Sequence, residues 1–143
     1  MNFKIIFMIQ RIQTIWLLFA SACAFLTLKF PFYYIGPHPD LPSDQFNATT
    51  NMILLLLTAI LGTLCLFTVF VFKQRNLQLW LTVLALVISV LNIFLYFSYK
   101  KNYTGGGLAL TSVFAFLVPI FLFLAARGIY KDRKLIKSMD RLR

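Results

Sequence analysis

Residues 52–72, MILLLLTAILGTLCLFTVFVF, carry no charge; KQRN follows at 73–76; residues 77–99, LQLWLTVLALVISVLNIFLYFSY, are again uncharged. A helix needs about 20 apolar residues to cross the roughly 30 Å hydrocarbon layer of a bilayer, and each run is long enough. Trp80 stands near one end of the second run and Tyr96 and Tyr99 near the other, as in the aromatic belts of a bilayer interface. Lys73-Gln74-Arg75-Asn76 leaves room only for a tight polar turn, so the two helices are expected to form an antiparallel hairpin.

Outward from this hairpin, residues 108–126 form a third uncharged run, preceded by Gly105-Gly106-Gly107 and closed by Arg127. Pro119 near its middle is expected to kink it, because proline removes one backbone hydrogen bond and crowds the carbonyl of Ala115. Toward the N-terminus, Ile12 to Leu28 is followed by Lys29 and FPFYY at 30–34, read as a span of about 12–32 with Lys29 snorkelling to the rim. A secretory signal competes for this stretch. Lys4 and Arg11 make a basic start, Ala20-Ser21-Ala22 resembles a cleavage site, and Ser21-Ala22-Cys23 hints at lipoprotein processing. Ala20 standing where such processing usually has leucine, and the apolar run continuing past Cys23, favour an uncleaved helix.

The fold class expected is therefore all-α: a polytopic membrane protein with four transmembrane helices in an antiparallel bundle and a basic C-terminal helical tail. A single membrane domain covers 1–143, with spans at about 12–32, 52–72, 77–99 and 108–126 and the tail at 127–143. Composition agrees: 60% hydrophobic residues, 17% aromatic, 13% charged and a mean hydropathy of +0.81 are too apolar for a soluble domain.

Four spans place Lys4, Arg11, Lys73, Arg75 and the tail on one side. Of the fourteen basic residues, only Lys29, Lys100 and Lys101 fall on the other. The positive-inside rule then puts both termini in the cytoplasm. The net charge of +10 flanks apolar runs, so it reads as a topology signal with anionic inner-leaflet headgroups as partner, and no nucleic acid is expected. Pro37, Pro39 and Pro42, with Asp40 and Asp44, mark a turn-rich outer loop without a fold of its own. Asn47-Ala48-Thr49 and Asn102-Tyr103-Thr104, both on the expected outside, match the short acceptor pattern for N-glycosylation.

Several chemistries lack their residues. Ion-coupled carriers need a charge-changing group within the membrane, and no span contains Asp, Glu, His, Lys or Arg away from its rim. His38, the single histidine, has no nitrogen partner for a metal. Cys23 and Cys65 are separate and lie within apolar runs, unlike the paired cysteines of a thiol oxidase, and no histidine base stands near a serine or cysteine inside the bilayer. Neither an enzyme nor a cofactor is expected.

The polar residues that enter the spans, with Ala20-xxx-Ala24, Thr58-xxx-Gly62 and Thr111-xxx-Ala115, form small-residue faces for close helix packing. Asn92 is the costliest of them to leave unpaired, and an interhelical hydrogen bond is its expected role. In the tail, Leu135, Ile136, Met139 and Leu142 recur at helical spacing among basic residues, the pattern of an interfacial helix; extension of the fourth helix into water is the competing reading. Because both termini share one side, Arg11 is expected to pair with Asp140 or Asp132, with Gln10 and Gln13 bonding tail backbone groups. The alternative is that Arg11 anchors the first helix to lipid phosphate.

Two segments are more specific than the rest: MIQRIQTIWLL at 8–18 and KDRKLIKSMDRLR at 131–143. They resemble a family of small four-helix membrane proteins of Bacteroidota whose members open on M-I-Q-R-I-Q and close on S-x-D-R-L-R. The resemblance covers the whole chain, with residues 1–7 preceding that opening, and implies the bacterial inner membrane; it supplies no activity and no ligand. Two functions remain in view: an accessory or interaction subunit of a larger membrane assembly, or a small-solute or ion pathway formed by a homo-oligomer with Asn92 and the threonines lining it.

Overall fold

The computed structural model describes residues 3–36, 45–103 and 105–141, and side chains from Ile12 onward. Four long helices run in order: α1 (Phe3–Lys29), α2 (Met52–Phe70), α3 (Arg75–Lys100) and α4 (Val113–Asp140). Each is long and apolar enough to cross a membrane. They form an all-α bundle in which α1 packs chiefly against α4 and α2, and α3 against α4 and α2. The N-terminus of α1, the α2–α3 turn and the C-terminus of α4 share one end, called here the terminal end; the two long connections form the loop end.

The packing is inside-out relative to a soluble bundle. The buried positions of α3 are Gln78, Thr82, Ala85, Ser89, Asn92 and Tyr96, at alternating spacings of three and four. Large apolar side chains such as Trp80, Val87, Leu91 and Phe94 point outward. Lipid is as apolar as leucine, so burying leucine inside gains nothing, whereas small residues let backbones approach closely. The middle of the core is thus built from Leu17, Ala20, Ala24, Leu61, Cys65, Ala85, Leu122 and Ala125. Ala20 and Ser21, of the tripeptide that resembled a cleavage site, are both buried in this packing. The Ser21 hydroxyl donates to the Gly62 carbonyl at 3.2 Å.

Three expectations need correction. First, α1 ends at Lys29 and not near residue 32, because Pro31 disfavours helical backbone at Phe30. Phe32 then belongs to the loop end, where its ring stacks on Tyr96 with centroids 4.3 Å apart.

Second, the long outer loop does carry structure. A three-stranded antiparallel sheet orders β2 (Gln45–Phe46), β1 (Tyr33–Tyr34) and β3 (Gly107–Leu108), in register Tyr33 to Phe46 and Tyr33 to Leu108. It ties both long connections together and covers a second core of Phe32, Tyr33, Phe46, Leu54 and Tyr96. Gly106 makes the closure possible: its φ is +100°, and a Cβ there would sit 1.8 Å from the Tyr34 carbonyl oxygen. Pro37, His38, Pro39, Asp40 and Pro42 to Asp44 lie outside the described residues.

Third, of the two readings of the tail, the structure shows a continuous extension of the fourth helix and not a separate interfacial one. α4 continues without interruption through Pro119 and Arg127 to Asp140. Its start also differs from the expected 108: Leu108 belongs to β3, and a 3₁₀ turn at Leu110–Ser112 leads into the helix.

Candidate functional site

The inward stripe of α4 explains where its acid goes. Ala115, Val118, Leu122, Ala125 and Ile129 are buried at spacings of three and four, and the next position in that series is Asp132. Its carboxylate is 7% exposed, so it needs partners. Arg75, the first residue of α3, supplies one: Nη1 donates to Oδ2 at 2.8 Å from a side chain 14% exposed. Gln13 of α1 supplies another, its Nε2 donating to the same Oδ2 at 2.5 Å. Gly128, one turn before Asp132, leaves the space for that approach, since a Cβ there would lie 2.8 Å from Gln13 Cγ.

One carboxylate therefore joins α1, α3 and α4. Beside it Gln78 Nε2 donates to the Thr68 carbonyl near the end of α2 at 3.2 Å. All four helices are connected at the terminal end by side-chain hydrogen bonds.

This cluster changes the expected tail docking. Gln13 does reach the C-terminal segment, but through the Asp132 carboxylate and not through backbone groups. Asp132 pairs with Arg75, a residue assigned from sequence only to topology. Asp140 is exposed and, among the described residues, has no ion pair. The side chains of Gln10 and Arg11 lie outside what the structure describes. One signal for the site was legible: with only four acidic residues in the chain, an aspartate continuing the inward series of α4 demands a cation.

Toward the loop end, Asn92 of α3 donates from Nδ2 to Thr58 Oγ1 of α2 at 2.9 Å, and that hydroxyl donates to the Leu54 carbonyl at 2.7 Å. Asn92 Oδ1 and the Tyr96 hydroxyl are buried without a hydrogen-bond partner of good geometry among the described residues. Thr27, Ser89, Asn92 and Tyr96 line a void of about 10 Å³, the space for the centre of one water molecule. Four other inward hydroxyls are turned onto their own helices: Thr27 donates to Ala24, Thr68 to Cys65, Thr82 to Gln78 and Ser89 to Leu86.

Outside the clamp on Asp132, the α2–α3 turn and the protruding last turns of α4 enclose an open cleft of about 870 Å³. Lys73, Arg75, Arg133 and Lys137 line it, with Asp140 the single acid. Lys73, Arg133 and Lys137 have no ion pair among the described residues.

An all-α bundle of four membrane-length helices, locked at one end by a buried ion pair and at the other by a small sheet, defines the class: a small multi-pass membrane protein. The chain belongs to the family described as Domain of unknown function (DUF4293), which it matches over residues 9–142. No curated protein and no solved structure matches it.

Proposed function

We propose that this chain is an accessory, non-enzymatic subunit of a larger assembly in the bacterial inner membrane, working by binding along its lipid-facing sides and its basic terminal end. The observation that carries the reading is the closed interior. Between the two ends the helices pack closely, and the void lined there by Asn92 and Tyr96 has room for a single water molecule; the buried ion pair sits at the rim, spent on joining helices. A pathway lined by Asn92 fits less well, because Asn92 is turned into its own bundle and bonded to Thr58 rather than offered to another copy. The sides, by contrast, present large apolar groups such as Phe67, Phe70, Phe94 and Phe123 for lateral contact.

Mild-detergent purification of the full chain, followed by identification of what co-purifies in stoichiometric amount, tests the accessory role. A chain that purifies alone and passes small solutes in liposomes would overturn it.

The proposed orientation puts both termini in the cytoplasm. A cysteine introduced at Ser43 or at exposed Asn102 should react with an impermeant thiol reagent in cells whose inner membrane is intact, and one at Ser138 only after permeabilisation. Native Cys23 and Cys65 are buried and leave the background low. The reverse pattern would invert the topology.

A further inference from the structure

We infer that the cleft between the α2–α3 turn and the end of α4 is a binding site for the phosphate headgroup of one anionic phospholipid. Its walls are of two kinds. Lys73 stands in the turn, and Arg133 and Lys137, four residues apart on α4, face it across the cleft. Gln74 and Asn76 add polar groups from the turn, and Leu77, Trp80 and Ile136 form an apolar wall.

The cleft's depth follows from its surroundings. α2 ends at Phe70, and Phe70 and Phe72 are both exposed. α3 begins at Arg75, and Trp80 is 71% exposed on its outer face. An exposed tryptophan beside a charged turn belongs at the boundary between hydrocarbon and headgroups. A ligand there meets cations on the water side and an indole and aliphatic chains on the lipid side. A phospholipid has that polarity, whereas a free phosphate ion would leave the apolar wall without a partner.

The clamp described above shapes the site. Asp132 neutralises Arg75 and ties the start of α3 to α4, fixing the α2–α3 turn beside the end of α4. The cleft's three unpaired cations are offset only by Asp140, leaving two net positive charges. At about fivefold in affinity per charge near an anionic lipid, this sets a preference of at most roughly thirtyfold over a zwitterionic lipid. The inference rests on this end lying at the headgroup level and is independent of the accessory role.

Trp80 lies in the cleft and reports on it. In a Trp16→Phe background it is the only tryptophan. The full chain is reconstituted in phosphatidylcholine vesicles containing a minor fraction of phosphatidylglycerol with brominated acyl chains, and quenching of Trp80 measures which lipid occupies its surroundings. Phosphatidylglycerol should be preferred by about tenfold or more. Lys73→Gln, Arg133→Gln and Lys137→Gln together should bring the preference to about one. Lys131→Gln with Lys134→Gln removes charge from the same helix outside the cleft and should leave it within about twofold. The charge-keeping set Lys73→Arg, Arg133→Lys and Lys137→Arg should retain it.

Equal loss in the cleft and control variants would overturn the site in favour of diffuse attraction. Absence of any preference in the Trp16→Phe protein would overturn it outright. Relief of quenching by millimolar glycerol phosphate in the buffer would overturn the lipid assignment and leave a soluble phosphate ester as occupant.

Discussion

The two ends of the bundle are held by opposite kinds of physics. At the terminal end one buried carboxylate gathers an arginine and a glutamine from two other helices. At the loop end the closure is aromatic and backbone-made: Phe32 stacked on Tyr96, two short strand pairings, and the Thr111 hydroxyl donating to the Pro31 carbonyl. Between them the helices meet through alanine and hydroxyl residues interleaved with Leu17, Leu61 and Leu122, which fit closely but choose little. Lipid supplies no hydrophobic drive for helices to associate, so the choice of neighbour and register falls to the ends, where charge and backbone polarity carry larger energies.

The contrast can be broken first at the loop end. Gly106→Ala combines a positive φ with a Cβ pressed on Tyr34, whereas Gly105 shares the positive φ, at +107°, but has open space around it. The conformational cost alone is about 1–3 kcal/mol. Gly105→Ala should cost that much, and Gly106→Ala should exceed it and open the pairing of β1 with β3. Protease sensitivity of residues 30–50 and 101–112 is the readout. Equal behaviour of the two variants would mean the sheet is not what closes this end.

The terminal end should break next. Removing one partner of a deeply buried pair costs about 3–5 kcal/mol; this pair sits at the rim, so Arg75→Ala should cost about 2–3 kcal/mol in reversible unfolding from mixed micelles. The double change Arg75→Leu with Asp132→Leu should recover most of the loss, because no unpaired charge then remains. A double variant as weak as the single one would show that packing, and not charge, holds this end.

The smallest effect belongs to the middle. A double-mutant cycle between Asn92→Ala and Thr58→Val should give a coupling near 0.6 kcal/mol, the average for such bonds between membrane helices. A coupling of several kcal/mol would make the middle a third locking point and remove the contrast.

Much of the architecture was legible because it depends on single segments. Span length appears as uncharged runs, and two of the small-residue pairs, Ala20 with Ala24 and Thr58 with Gly62, do lie on buried faces. The loop-end sheet was not legible, since strands of two residues leave no period to detect and the prolines and aspartates beside them read as turn. Gly105 and Gly106 were visible as flexible residues, but the carbonyl that excludes a side chain at Gly106 comes from Tyr34, far away in sequence. The tail misled through its spacing: Leu135 and Met139 recur at helical intervals, yet helix α4 carries them past the bundle with both half exposed.

The sequence by itself determined that the chain has four helices long and apolar enough to cross a membrane, because length and hydropathy are properties of one segment. Only the tertiary structure decided which cation meets Asp132. Lys73 and Arg75 both stand at the connection between α2 and α3. Arg75 meets the carboxylate because it opens α3 beside α4, at 2.8 Å, a distance set by how the packed helices are rotated and how short the turn before Arg75 is.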